Sequence, residues 1–123
     1  MVIYILQEKL LNDEGEQRAA EYLVQNGYSI IERNFRTRSG EIDIIAGKCN
    51  TVVFVEVKTL PNGTIDMIQK ELNYQKRKRI LKTSKCFLLK HRQYSNGYIR
   101  YDVIVIDMPG FDKVYHIENA FTE

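Results

Sequence analysis

Residues 40–58, GEIDIIAGKCNTVVFVEVK, hold two strand-like runs of Val, Ile and Phe, interrupted by carboxylates at positions a pure core would reject. Side chains alternate along a strand, so Glu41, Asp43 and Ile45 share one face of the first run and Ile42 and Ile44 the other. In the second run Phe54, Glu56 and Lys58 share a face, opposite Val53, Val55 and Val57. If the GKCN turn pairs the runs as an antiparallel hairpin, one face becomes an aliphatic block. The other gathers Asp43, Glu56 and Lys58, and is a candidate site.

The flanking chain supplies a helix and a strand before this hairpin, and a helix and a strand after it. DEGEQRAAEYLVQN at 13–26 reads as a helix with Ala19, Ala20, Leu23 and Val24 as its apolar stripe and Gly27 as its stop. Asp13 followed by Glu16 has the spacing of a capping box, which by itself accounts for Glu16. The preceding VIYILQEKLL fits a short strand, an extra helical turn or a partner-binding arm. YSIIERNFR at 28–36 completes a three-strand antiparallel meander. After the TLPNGT loop, residues 66–90 form one long helix with Ile68, Leu72, Ile80, Leu81, Ser84, Phe87 and Leu88 at helical spacing. YIRYDVIVID at 98–107 is a strand buried on both faces, and VYHIENAF a short closing strand. Asp102, in register with Ile104 and Ile106, is expected as a buried, hydrogen-bonded acid. His91 and His116 read as surface or packing residues, while Tyr74 and Gln75 fit either the core edge or a substrate face.

A chain of 123 residues is most simply one domain, 1–123, able to fold without disulfide or metal staples. Cys49 and Cys86 match no zinc spacing with the two histidines and are expected as free thiols. The opening MVIYIL is short, lacks a basic lead and runs into QEKLLNDEGE, unlike a signal peptide or a membrane span, so a cytoplasmic location is the expectation. The net charge of +2 conceals an asymmetry: residues 66–92 carry +7, leaving −5 elsewhere. A polyanionic partner follows, with Lys76, Arg77, Lys78 and Arg79 as the expected phosphate contacts. Nothing in the chain has the character of a base-reading helix.

Two carboxylates and a lysine on one sheet face suit phosphodiester chemistry. Carboxylate oxygens are hard ligands for Mg²⁺ or Mn²⁺, which polarise a phosphate and acidify a bound water. A lysine beside them orients that water or stabilises charge on the phosphate. The competing structural reading is a solvated face with a cross-strand salt bridge, worth little stability.

An Asp followed within a hairpin by Glu-x-Lys resembles the PD-(D/E)xK nuclease superfamily. GEQRAAEYLVQNGYSIIERNFRTRSGEIDIIA, VVFVEVKT, RYDVIVID and HIENAF together resemble the YraN-like family of bacterial predicted endonucleases over roughly residues 14–121. The resemblance implies an α/β, restriction-endonuclease-like core: helix, three-strand antiparallel meander, helix and strand, with a mixed central sheet flanked by helices. It implies catalytic roles for Glu16, Asp43, Glu56 and Lys58, a supporting role behind them for Glu41, and a metal held by Glu16, Asp43, Glu56 and the Val57 carbonyl. Glu16 matches the first-helix glutamate of archaeal Holliday-junction resolvases, whose dimers make a homodimer an expectation here. Two departures stand out: Ile42 replaces the superfamily's proline, and Leu60 a frequent basic residue. The expected function is a metal-dependent endonuclease acting on DNA, more than RNA, with branched or processed DNA as a substrate; the alternative is a non-catalytic nucleic-acid-binding protein on the same fold.

Overall fold

The computed structural model describes residues 2–122. Helix α1 spans Val2–Gln25 and strands β1, β2 and β3 span Ser29–Thr37, Gly40–Lys48 and Thr51–Thr59. Helices α2 (Ile65–Glu71) and α3 (Tyr74–Lys90) follow, then β4 (Tyr98–Ile106) and β5 (Val114–Phe121). The strands form one mixed sheet in the order β1-β2-β3-β4-β5, in which only β3 and β4 run parallel. This is the expected architecture, with the crossover from β3 to β4 made by the helical segment, as a parallel pair requires.

The sheet is covered on both faces. Ala19, Ala20 and Leu23 of α1 pack on Ile44, Val53, Val55, Ile104 and Ile106. On the other face Ile80 and Phe87 of α3 pack on Ile45, Phe54 and Tyr101. Strand β4 lies between two strands and beneath both layers, so residues 101–106 are all buried. Val24, expected in the stripe, is 57% exposed, because α1 contacts the sheet along a narrower arc than the stripe implied.

Two further local expectations fail. The 66–90 segment is two helices, because Asn73 breaks it: its backbone is extended and its Oδ1 accepts from Lys76 N at 2.9 Å, the geometry of an N-cap. And α1 already runs from Val2, so Asp13 lies in a helix interior and forms no capping box with Glu16. The segment 2–12 is thereby settled as helix. Gly27 ends α1 with φ at +88°, a left-handed conformation that glycine adopts without strain. Gly15 meets a different need: a Cβ there would collide with the Thr59 side chain, so only glycine lets α1 press against the end of β3. No helix among the described residues is long and apolar enough to cross a membrane.

Asp102, 1% exposed, ties together three elements. It accepts from Arg100 Nε at 2.9 Å, from Asn119 N at 2.9 Å and from His116 Nε2 at 2.6 Å. An ionised Asp102 has no proton to give, so Nε2 carries it and Nδ1 accepts from the Tyr22 hydroxyl of α1 at 3.2 Å. Burial pushes the Asp102 carboxyl up, but hydrogen bonds from His116, Arg100 and Asn119 outweigh it and hold the group below its usual range. Asp102→Ala leaves Arg100 and His116 without their shared acceptor and is expected to cost about 3–5 kcal/mol. Urea unfolding checks this, and a loss below about 1 kcal/mol contradicts it.

Candidate active site

The β2–β3 ladder pairs Lys48 with Thr51 and ends at Ile44 opposite Val55. Beyond that point β2 stays with β1, pairing Ile42 with Phe35 and Glu41 with Arg36, so the hairpin forks. Asp43 sits in the fork, where its Oδ2 accepts from Val57 N at 2.8 Å. The side chain thus supplies an acceptor that the departing β2 backbone no longer offers β3. The fork also breaks the alternation: Ile42 packs with Ile45 and Phe54 under α3, whereas Ile44 packs under α1. The hairpin therefore lacks the single aliphatic face expected of it.

The fork opens into a cleft of about 450 Å³ lined by Glu16, Glu41, Asp43, Glu56, Val57 and Lys58, all expected site residues. Glu56 is only 6% exposed. Its Oε2 lies 3.5 Å from Lys58 Nζ and 3.2 Å from Lys76 Nζ, and Lys58 Nζ also lies 3.2 Å from Glu71 Oε2. Burial, followed by the charge of Glu56, drives the Asp43 carboxyl up to about 8, against the downward pull of its bond from Val57 N–H. Burial would lower the Lys58 pKa, yet Glu56 and Glu71 together raise it, so Lys58 is a cation across neutral pH.

Glu16 reaches the cleft from the middle of α1, where it has no capping task. Burial and the neighbouring Glu41 raise its pKa, with Arg33 opposing them. Glu41 lies within 3.3 Å of Arg36 Nε. With its amide nitrogen turned to the carboxylates, Asn34 donates to Glu16 Oε1 at 3.1 Å and to Glu41 Oε1 at 3.2 Å. Sequence reasoning missed Asn34, and the available signal was an Asn inside a strand, where it is disfavoured. Its left-handed φ of 54° explains the residue type, since Asn tolerates that region best after Gly. Glu71 was also missed, and no spacing in the sequence marks it.

The KRKR run does not form one surface. Helical periodicity sends Lys76 into the cleft and Arg77 to a separate cavity beside β5, while Lys78 and Arg79 line an outer groove on α3 with Lys82 and Lys85. Lys78 Nζ rests 5.4 Å from the Tyr74 ring centre.

Among the described residues no three His, Cys, Asp or Glu side chains are grouped so as to hold a metal ion by themselves. In donor type the site nevertheless fits Mg²⁺ or Mn²⁺. Such ions are commonly held by one or two carboxylates, with water and substrate phosphate as further ligands. Asp43 and Glu56 are such a pair, and a dication there would take the place of the proton that burial favours on Asp43.

A family model described as "Uncharacterised protein family UPF0102" matches residues 15–106. A UPF0102 protein of Treponema denticola is 41% identical over 122 residues, covering 90% of this chain and 94% of that protein. UPF0102 proteins of Persephonella marina and Geobacter metallireducens are 42% and 43% identical, over 88% and 94% of this chain and 90% and 95% of their own lengths.

Because the Asp43 pKa is higher in the folded than in the unfolded chain, the metal-free folded state keeps a proton that the unfolded state releases. That contribution is complete below about pH 4 and is lost as pH rises through about 8. Metal-free protein is therefore expected to melt at falling temperature from pH 5 to 8, with a free-energy slope of up to about 1.4 kcal/mol per pH unit from this group. Asp43→Asn should flatten the profile; parallel profiles in calorimetry would contradict the assignment.

Proposed function

The chain belongs to the uncharacterised protein family UPF0102, and we propose that it is a cytoplasmic, metal-dependent endonuclease that hydrolyses phosphodiester bonds in DNA, in the manner of the PD-(D/E)xK superfamily. The observation that carries the reading is half-buried Asp43 beside buried Glu56, with Lys58 next to them, at a fork where folding alone calls for no second carboxylate.

Asp43 and Glu56, joined by Glu16 and the Val57 carbonyl, would hold Mg²⁺ or Mn²⁺. When bound, the ion supplies Lewis-acid polarisation of the phosphate and a water acidic enough to attack near neutral pH. Lys58, kept protonated by Glu56 and Glu71, is suited to stabilising negative charge on the reacting phosphate rather than to removing a proton. Lys76 neutralises Glu56 from the other side and can turn to an entering phosphate. Asn34, whose amide also bonds Glu41, holds Glu16 in place. Lys78, Arg79 and Lys82 on the outer face of α3 offer the backbone an attractive track whose strength falls with salt.

One observation favours the alternative of a non-catalytic nucleic-acid-binding protein: Lys58 and Lys76 already neutralise Glu56 without an ion. The two readings separate on branched, flapped, single-stranded and duplex DNA incubated with Mn²⁺. Cleavage is expected, with Asp43→Ala or Lys58→Ala reducing it by roughly 100-fold or more. Cleavage indifferent to both substitutions sinks the nuclease assignment, and salt-sensitive binding without cleavage selects the alternative.

The reading includes a homodimer formed through α1. Ile3, Leu6 and Leu10 are 68%, 54% and 68% exposed. Their spacing makes a seam of the kind helices pair through. Glu8, Asn12 and Glu16, at intervals of four, turn the other side of the helix to the cleft, so pairing along the seam leaves the cleft open. Light scattering is expected to give twice the 14.5 kDa chain mass, reduced to one chain by Leu6→Glu with Leu10→Glu. A wild-type monomer at tens of micromolar would refute it.

A further inference from the structure

The core does not close everywhere beneath the helical layer. Between α2, the start of α3 and the β4–β5 edge lies a cavity of about 500 Å³, within the roughly 300–1,000 Å³ range of sites for small ligands. Its walls are apolar, with Leu72, Tyr115 and Ile117 only partly buried around it. Three polar side chains, Gln69, Asn73 and Arg77, also line it. Asn73 spends its Oδ1 on the N-cap of α3, which leaves its amide nitrogen. Arg77 Nε is buried with no hydrogen-bond partner, an arrangement that costs stability unless an acceptor arrives.

An apolar slot with an aromatic ring, two carboxamides and a guanidinium matches the chemistry of a nucleotide, which has an apolar face, a hydrogen-bonding edge and an anionic phosphate. Its position adds a second argument. Glu71 and Lys76 line the acidic cleft, and their chain neighbours Leu72 and Arg77 line this cavity. The two openings are thus separated only by the corner where α2 meets α3.

We infer that this cavity receives an unpaired nucleotide of the strand whose phosphodiester lies in the acidic cleft. The base enters against Leu72, Tyr115 and Ile117, its edge meets Gln69 and Asn73, and Arg77 meets a phosphate oxygen. A base within a duplex is stacked and paired and cannot enter, so the preferred substrate carries a single-stranded segment, as a flap or an open junction does. The strand's path rests on the nuclease reading, whereas occupation of the cavity requires neither metal nor cleavage.

The test uses the full chain with labelled Ile and Val methyl groups, without metal, titrated with an oligothymidylate and with a blunt duplex of equal charge. The methyls of Ile68, Val103 and Ile117 are expected to shift with the single strand and not with the duplex. Arg77→Ala, and Ala120→Phe, which fills the cavity, are each expected to weaken single-strand binding by tenfold or more while changing duplex binding less than twofold. Melting curves show whether each variant folds; if Ala120→Phe does not, Arg77→Ala and the wild-type methyl shifts decide the matter. Unmoved methyls, or single-strand affinity unchanged in the folded variants, overturn the inference. Shifts without cleavage of any DNA support the cavity and overturn the nuclease reading, whereas cleavage with unmoved methyls does the reverse.

Discussion

The hydrogen bond from Val57 N–H to the Asp43 carboxylate is the constraint on which the candidate site depends. Antiparallel strands normally stay paired because each backbone group needs a partner. Here β2 is apart from β3 before Ile44, and a side chain takes over for the missing carbonyl. That one exchange opens a cleft where β2 and β3 part, brings Asp43 beside Glu56, and returns Ile42 to the core on the α3 face. Glu16 arrives because Gly15 lets α1 approach Thr59 closely. The site is a consequence of how the sheet forks, not an addition to a finished surface.

Two aspartates of the sheet, half-buried Asp43 on β2 and buried Asp102 on β4, show how environment divides structure from chemistry. Asp102 is surrounded by donors, and its carboxylate is held ionised by His116, Arg100 and Asn119. Such a group locks β4, β5 and α1 together. Asp43 has one backbone donor and faces a second carboxylate, so its charged form is disfavoured. Like charges in a partly dry site are a pattern found where chemistry is done. The same residue type is satisfied in one place and left short of partners in the other.

The basic segment has a related lesson. As a linear run, KRKR reads as one phosphate-binding patch, but a helix turns successive residues by about 100°. Lys76 therefore compensates Glu56, Arg77 enters an apolar cavity, and Lys78 and Arg79 face outward. A charge run on a helix is three environments rather than one. Asn73 decides where those environments begin, because its cap sets the first turn of α3.

Much was legible in the chain itself. The alternation of residues 40–58, the apolar run at 101–106 and the turn chemistry between them determined the order of elements, the buried β4 and the candidate carboxylates, since these depend on local periodicity and side-chain type. Asp102 as a buried, bonded acid was also readable from its register. The sequence could not reveal that Asn34 joins Glu16 to Glu41, that Lys76 belongs to the cleft, or that β2 breaks its alternation at Asp43. Those features depend on pairs such as Glu16 and Asn34, 18 positions apart, and Glu56 and Lys76, 20 apart, or on one strand departing from another, and only tertiary packing brings them together. Local pattern set which residues carry charge and where strands run, while the fork in the sheet decided which of those charges meet.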